Sequence, residues 1–493
     1  MRATRSSPTT RRGRRPARRH APALAMLAGL FCRAAAALPA TGDTTADAVL
    51  GQADFAANQP NAPAGAVTAL GVSLSNAAHA AVGPDGRLWL SDPDNNRVLS
   101  WPSAAAFATG QPADRVLGQP DFFSHAPNFG GVSGASLSLP QGIAVDSAGN
   151  VWLADAFNHR VLRYNNPAVD ATPAVADLVI GQVDLNHNQE NLGLGGMGPA
   201  VALPDSIQFP GRVLVRGSDV YVADSGNSRV LHYTLPFGNK PLADRVFGQY
   251  GDFTRRAKNN DGSGNNNPCC PTPDNLYNPI GIALDAAGRL FVADWNNHRV
   301  LRFDAPLASQ TASAVIGQLD FFHRDIDAAG PGDGLQFPID LAIDAAGRLW
   351  AADSGNNRVL AWFAPLAGGP ASAVFGQLGS LLTDDANHGL GFLSSDADGL
   401  FGPTGVIPTP AGDLLVVDTN NHRLLRFDRP FAPAAGDVNC DGAVNAADAA
   451  ALLLALVRPA DYAAAYPGCG GADVNGDTAT DGRDVAALVA VLP

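Results

Sequence analysis

The sequence has almost no glutamate or lysine. Among its 493 residues, Glu190 is the only glutamate, and Lys240 and Lys258 are the only lysines, beside 45 aspartates and 31 arginines. Glutamate and lysine favour helices, whereas aspartate favours turns and helix caps. Together with 53 glycines and 37 prolines, this scarcity excludes a coiled coil and predicts a body of strands and turns.

Long apolar runs are also missing. The run at residues 21–31 is too short to span a bilayer, and it follows eight arginines and no acid in the first twenty residues. An export signal has this order of basic, then apolar, then small residues, and we assign one to residues 1–40. The sequence therefore predicts an exported protein, whether extracellular, periplasmic or on the cell surface, with no membrane span.

The charge is strongly acidic. Removal of residues 1–40 removes nine arginines and no acid, which takes the net charge from −13 to −22. A surface of this sign argues against nucleic acid or an anionic membrane as the partner. Beyond residue 40 there are four cysteines, an even number that permits disulfides in an exported chain.

One segment recurs six times along the middle of the chain. The copies share an apolar run, an aspartate, a short polar corner with Asn and Arg, and a second apolar run. They occupy residues 86–99, 149–162, 217–231, 288–301, 347–360 and 412–425, with the aspartate at Asp92, Asp155, Asp224, Asp294, Asp353 and Asp418. Internal repeats of this kind indicate an array of similar structural units.

Each unit predicts four antiparallel strands. Two strands flank the corner, because Asp and Asn supply the hydrogen bonds and backbone tolerance that a turn needs. A third strand, such as residues 142–146, precedes them, and a fourth, ending in Gly-Gln, follows. The sixth unit has no Gly-Gln strand after it, whereas residues 48–52 form one with no unit before it. We therefore predict an all-β, six-bladed β-propeller in which residues 48–52 complete the last blade beside 414–427.

The repeated pattern resembles the NHL repeat over about residues 45–430, and we assign the propeller to residues 41–432. That resemblance implies a protein-binding platform, an RNA-binding domain, an extracellular sensor domain or a metal-dependent lyase, so it does not fix the function. The corners and the loops after the Gly-Gln strands are expected to share one face. Aromatic, Asn, Asp and His residues in those loops predict binding of a glycan, peptide or protein there.

The repeated corner residues have two interpretations, one structural and one functional. We expect the corner pairs, such as Asp155 with Arg160, and the loop residues Phe55, Phe122 and Phe321 to be architectural, since they repeat. No residue clearly departs from the repetition in a way that marks a site. Three histidines, His159, His298 and His422, occupy the same corner position, and NHL-type lyases bind zinc through histidines.

The histidines leave an alternative function open. They could hold a metal in a lyase or hydrolase that acts on polysaccharide or peptide. Asn96, Ser228 and Asn357 fill the same position in the other units, which favours a tolerant polar turn position. We therefore assign no catalytic residues and favour a non-catalytic binding protein over an enzyme.

Loop 250–279 differs from the other loops. It is basic, then rich in Asn and Gly, and it carries the adjacent Cys269 and Cys270. A vicinal disulfide, two separate bridges and a plain surface insertion are all compatible with this sequence.

Two twelve-residue loops near the end of the chain predict calcium sites. Residues 437–448 and 473–484 place oxygen-bearing groups at positions 1, 3, 5, 7, 9 and 12, as six- or seven-coordinate calcium requires. The predicted ligands are Asp437, Asn439, Asp441, the Ala443 carbonyl, Asn445 and Asp448 in the first loop, and Asp473, Asn475, Asp477, the Ala479 carbonyl, Asp481 and Asp484 in the second. Each loop leads into an apolar helix, at 448–457 and 484–492.

This duplicated loop and helix resembles a type I dockerin, and we assign residues 433–493 to a small α-helical dockerin-like domain. The resemblance implies one Ca²⁺ in each loop and docking to a cohesin-type protein, often in polysaccharide breakdown. Thr478 replaces the expected glycine at position 6 of the second loop, which predicts weaker calcium binding there than in the first loop. Cys440 and Cys469 are a candidate disulfide that would staple the module. Calcium used only for folding is the alternative.

Overall fold

The computed structural model describes residues 43–75, 77–169, 174–196, 201–330, 332–365, 369–431, 438, 446–465, 474 and 480–491. The predicted export signal, residues 1–40, lies outside these residues. So do both cysteines of the candidate disulfide, Cys440 and Cys469, and most of the predicted calcium ligands.

Within these residues, twenty-four short strands form six four-stranded antiparallel sheets. Strand β1 (Ala48–Leu50) comes first in the chain. Blades 1 and 2 contain β2 (Ala80–Val82), β3 (Leu88–Asp92), β4 (Arg97–Trp101) and β5 (Arg115–Leu117), then β6 (Pro140–Val145), β7 (Val151–Asp155), β8 (Arg160–Tyr164) and β9 (Leu178–Ile180). Blades 3 and 4 contain β10 (Pro210–Arg216), β11 (Asp219–Asp224), β12 (Arg229–Thr234) and β13 (Arg245–Phe247), then β14 (Pro279–Leu284), β15 (Leu290–Asp294), β16 (Arg299–Phe303) and β17 (Ala314–Ile316).

The last two blades follow the same plan. They contain β18 (Pro338–Ile343), β19 (Leu349–Asp353), β20 (Arg358–Trp362) and β21 (Ala373–Phe375), then β22 (Pro403–Pro408), β23 (Leu414–Asp418) and β24 (Arg423–Phe427). Each of blades 1 to 5 takes its four strands in sequence order. These sheets are the blades of a six-bladed β-propeller, as the sequence predicts.

The first strand of the chain closes the ring. β1 pairs antiparallel with β24, and Val49 lies opposite Leu425, so the sixth sheet has the order β1-β24-β23-β22. The predicted closure is therefore confirmed. Because β1 covers the outer edge of β24, the two ends of the propeller are held together by strand pairing rather than by a covalent link.

The core lies between the blades. Six clusters of buried apolar residues each combine side chains from two neighbouring blades. Alternate residues of β1 contribute to two of them: Ala48 and Leu50 pack toward blade 1, and Val49 packs toward blade 5. This division follows from the strand period of two, which directs successive side chains to opposite faces of the sheet.

Three helices follow the propeller in the part of the chain that the structure describes. They are α1 (Ala446–Val457), α2 (Pro459–Ala465) and α3 (Gly482–Val491). The sequence predicts α1 and α3 to within two residues at each end, whereas α2 was not predicted. Val438, Leu452, Tyr462, Val474 and Leu488 belong to one small buried cluster among these segments. None of the helices in the described parts of the chain is long and apolar enough to cross a bilayer.

Candidate functional site

A buried ion pair fixes the corner of every blade. In blade 2, Asp155 Oδ2 accepts hydrogen bonds from Arg160 Nε at 2.8 Å and from Asn158 at 2.8 Å, while Oδ1 accepts one from the Ser138 backbone N–H at 2.8 Å. The same contact between Arg Nε and Asp Oδ2 measures 2.7–2.8 Å in all six blades, between Asp92 and Arg97, Asp155 and Arg160, Asp224 and Arg229, Asp294 and Arg299, Asp353 and Arg358, and Asp418 and Arg423.

The corner arginine also holds the surrounding loops. Arg160 Nη1 donates to the carbonyl of Leu185, in the loop after the Gly-Gln strand, at 2.6 Å. Its Nη2 donates to the carbonyls of Ser133 and Ser136, in the loop before β6. Corners and post-Gly-Gln loops therefore lie on one face, as predicted, which we call the corner face. The prediction that the corner pairs are architectural is also confirmed.

The three corner histidines connect neighbouring blades. Each ends a short 3-10 turn in the left-handed backbone conformation, and its Nδ1 accepts a backbone N–H from the next blade. The donors are Phe209 to His159 at 3.2 Å, Phe337 to His298 at 3.1 Å and Leu74 to His422 at 3.0 Å. In each histidine, one ring nitrogen is thus occupied by the fold.

The other three blades use a different side chain for the same contact. Asn96, Ser228 and Asn357 accept the backbone N–H of Leu139, Asn278 and Gly402 respectively. Any side chain with an acceptor at this reach satisfies the position, which accounts for the variation along the sequence. Across the described residues, no group of three or more His, Cys, Asp or Glu side chains is arranged to hold a metal, so His159, His298 and His422 are not brought together there.

Because of these histidines, we expect the thermal stability of the propeller to fall at acid pH. Burial lowers the pKa of His159 and His422, and it lowers the pKa of His298 to about 4. The folded-state pKa of each histidine is therefore below the ordinary 6.5, so folding favours the neutral ring. This contribution to the free energy of unfolding is present above pH 6.5 and is lost as the pH falls below it. We expect Tm to fall by about 3 °C or more between pH 7 and pH 5.

A triple variant separates this effect from general acid denaturation. His159→Asn, His298→Asn and His422→Asn introduce the acceptor that blades 1 and 5 already use, and that acceptor does not titrate. Calorimetry at pH 7, 6 and 5 should show a smaller fall in Tm for the variant than for the parent chain. Parallel curves for the two proteins would contradict the assignment.

The central channel departs from the six-fold repetition, a feature that the repeat pattern does not predict. The first strands of all six blades line a cavity of about 270 Å³. One position of this layer carries either a charged or polar side chain or glycine, in strict alternation around the ring. It is the residue just before β2 and the third residue of the first strand in each other blade: His79, Gly142, Arg212, Gly281, Asp340 and Gly405. A Cβ at Gly281 would lie 2.6 Å from the Ile339 carbonyl oxygen, so the backbones there leave no room for a side chain.

Asp340 joins four blades across the channel. Its carboxylate forms an ion pair with Arg212 of blade 3 and accepts the backbone N–H of Val406, in blade 6, at 2.8 Å. His79 of blade 1 places Nε2 3.4 Å from Asp340. Burial, followed by the charge of Arg212, holds the pKa of His79 well below its usual value. Both carboxylate oxygens of Asp340 thus have partners in other blades, so this cluster links the blades across the channel.

The corner face presents apolar side chains on anchored loops. In blades 1, 4 and 5 the residue that follows the arginine-bound carbonyl is Phe123, Phe322 or Leu382, with 69%, 64% and 79% of its surface exposed. The glutamine of the Gly-Gln pair ties the far side of each loop, as Gln119 does to the Ala126 carbonyl. These side chains are therefore held out to solvent by loops with two fixed points.

Most predicted calcium ligands lie outside the described residues: Asp437, Asn439, Asp441, Ala443, Asn445, Asp473, Asn475, Asp477 and Ala479. Asp448 lies in α1 and Asp484 in α3, and both are buried. Asp484 accepts the backbone N–H groups of Val474 at 2.8 Å and Asp481 at 2.7 Å. Its carboxylate is thus directed back at its own loop.

Comparison with known families identifies part of the propeller. The family model described as NHL repeat matches residues 137–164, 276–303 and 335–362, which are the first three strands of blades 2, 4 and 5. The resemblance seen in the sequence is therefore confirmed in three blades. No curated protein sequence matches the chain.

Solved β-propellers share the architecture at low identity. A streptogramin B lyase is 11% identical, with 72% of this chain and 94% of that chain covered and a TM-score of 0.38. Virginiamycin B lyase from Staphylococcus aureus is 11% identical, with 72% and 97% covered and a TM-score of 0.36. The WD40 propeller domain of Doa1 is 10% identical, with 71% and 77% covered and a TM-score of 0.38. Likeness at this level carries no argument about activity.

Proposed function

We propose that this chain is an exported, non-catalytic binding protein whose corner face binds a glycan, peptide or protein. The observation that carries the proposal is the repeated exposure of Phe123, Phe322 and Leu382 on loops that the corner arginines and glutamines hold in place. Large apolar side chains on rigid loops lose little conformational entropy on binding, so they contribute efficiently to affinity.

The interior of the ring offers less for a ligand to use. Asp340, Arg212 and His79 engage one another and the backbone, and each corner histidine has one nitrogen engaged by the next blade. Nothing in the described part of the chain favours the alternative of a metal-dependent lyase or hydrolase. The loops of the corner face are therefore the stronger candidate for recognition.

A matched pair of triple variants tests the binding face. Serine at Phe123, Phe322 and Leu382 should reduce binding on glycan and peptide arrays by about tenfold or more, as expected for the loss of several apolar anchors. Serine at Val175, Leu242 and Leu307, which are exposed in loops between third and fourth strands at the opposite end of the blades, should leave binding unchanged. Equal losses in both variants, or losses only in the second, would contradict the proposal.

We further propose that residues 433–493 bind two Ca²⁺ ions and dock to a cohesin-type protein that takes part in polysaccharide breakdown. The buried Asp484, directed at its own loop, supports a role as the closing ligand of the second site. Calorimetric calcium titration of the full chain should show loss of one site in Asp484→Asn and no change in Asp461→Asn, whose carboxylate lies exposed in α2. An unchanged titration in Asp484→Asn would contradict the second site.

A further inference from the structure

Loop 250–279 concentrates positive charge on an acidic protein. Arg255, Arg256 and Lys258 form the only stretch after residue 40 in which three of four residues are basic, in a chain of net charge −13. The loop follows β13 and lies at the corner of blade 3, because Arg229 Nη1 donates to the carbonyl of Phe253 at its start.

The loop encloses a polar cavity against that corner. The cavity measures about 540 Å³, a volume within the range of small-molecule sites. Its walls include the three cationic side chains together with Gln208, Thr254, Ser263 and Asn266. Gly226 lies at the corner, at a position where four other blades carry Asp94, Phe157, Asn296 and Asn420. A Cβ at Gly226 would lie 2.7 Å from the Gln208 carbonyl oxygen, so glycine at this point lets Gln208 pack against the corner and form part of the wall.

The two arginines are already neutralised and held in place. Arg256 Nη1 donates to Glu190, the only glutamate of the chain, at 3.1 Å and to Gln208 Oε1 at 3.2 Å. Gln208 in turn donates to Glu190 at 2.6 Å. Arg255 forms an ion pair with Asp252 at 2.8 Å. This network fixes the wall of the cavity without leaving a free charge on either guanidinium.

Lys258 supplies the uncompensated charge. Its backbone N–H donates to Asn266 Oδ1 at 2.8 Å, and its carbonyl accepts the Asn267 N–H at 2.9 Å, so the chain is pinned on both sides. The ammonium group lies 5.3 Å from the centre of the Tyr277 ring, and among the described residues it forms no ion pair with a carboxylate. Arg324 lies over the same ring, 5.8 Å from its centre, but does not line the cavity. Among the lining residues and their ion-pair partners, three cations and two carboxylates thus leave one net positive charge.

We propose that this cavity binds a sugar that carries a single carboxylate, such as a uronic acid residue, with Lys258 as the partner of the carboxylate. One net charge matches a monoanion better than a phosphate dianion. The amide and hydroxyl groups of Gln208, Thr254, Ser263 and Asn266 can exchange hydrogen bonds with sugar hydroxyls. The inference rests on the proposed binding role of the corner face and narrows its ligand to an acidic glycan.

Calorimetry on the full chain tests the site with three probes: an acidic dimer of one galacturonic acid and one galactose, which carries a single carboxylate, the neutral galactose dimer, and sodium sulfate. The acidic dimer should bind, and neither the neutral dimer nor sulfate should match it. Lys258→Gln should raise the Kd of the acidic dimer about tenfold or more, the loss of one charge-assisted hydrogen bond, and Lys258→Arg should retain most of the affinity. Binding should also weaken as salt rises.

The other lysine provides the matched control. Lys240 lies in the loop between β12 and β13 and pairs with Asp205, in the loop before β10, at 3.2 Å. Neither residue lines the cavity, so Lys240→Gln should leave the Kd unchanged. Equal binding of the neutral dimer, equal binding of sulfate, or an unaltered Kd in Lys258→Gln would each overturn the proposal. If arrays still show corner-face binding in those cases, the acidic-sugar site fails while the wider binding function stands.

Discussion

Replacement of Asp155 by alanine is expected to destabilise the propeller by about 3–5 kcal/mol, because it leaves the Arg160 charge buried without its partner. Both side chains are fully inaccessible to solvent, so no water can replace the lost carboxylate. The backbone N–H of Ser138 and the amide of Asn158 lose the same acceptor. Thermal unfolding should show a fall in Tm of roughly 5 °C or more.

A surface pair in the same blade provides the control. Arg163 and Asp177 approach to 2.6 Å, but 26% and 37% of their side chains are exposed. Because solvent screens such pairs, Asp177→Ala should cost less than about 1 kcal/mol. Equal effects of Asp155→Ala and Asp177→Ala would show that the corner pair does not carry the stability assigned to it.

Removal of both charges should restore only part of the stability. Replacing Asp155 and Arg160 together with leucine removes the buried charge, which is the largest cost of the single variant. The carbonyls of Leu185, Ser133 and Ser136 would nevertheless lose the guanidinium that they bind. The double variant should therefore unfold at a temperature between those of Asp155→Ala and the parent chain.

The corner could be predicted from sequence because its chemistry is local. Asp155 and Arg160 lie opposite each other across one hairpin, and six repetitions reveal which positions the hairpin requires. The same reasoning predicted the half-buried Phe122, which packs against an inter-blade cluster. The exposure of the neighbouring Phe123 was not predicted, because it follows from the hydrogen bond that Arg97 donates to the Phe122 carbonyl.

The cluster in the central channel could not be predicted from sequence, because its contacts are not local. His79, Arg212 and Asp340 each lie in a different blade and meet only when the ring closes. In a single sequence each looks like ordinary variation within one repeat. An alignment of the first strands of the blades, for example from Pro140 and Pro210, shows that polar or charged residues alternate with glycine. This alternation is the signal that the sequence contains. Contacts that close over long sequence separations are visible only once the blade register is known.

Introduction of aspartate at Val49 is expected to open the propeller. Val49 is fully buried in the core between blades 5 and 6, where an unpaired carboxylate costs about 4 kcal/mol or more. Its strand also supplies the pairing that covers β24. Thermal unfolding should show a large fall in Tm, while the same residue introduced at the exposed Ala53, four positions further on, should leave Tm nearly unchanged.

The equivalent substitution in blade 2 shows whether β1 is part of the ring or merely attached to it. Val179 occupies the middle of β9, the fourth strand of its blade, and is buried as completely as Val49. If β1 folds as an integral fourth strand, Val49→Asp and Val179→Asp should destabilise the protein to the same extent, including a shared failure to fold. A stable Val49→Asp beside an unfolded Val179→Asp would mean that the ring holds without β1. Comparable losses of stability would show that the pairing of β1 with β24 couples the first strand to the ring as tightly as β9 is coupled to blade 2.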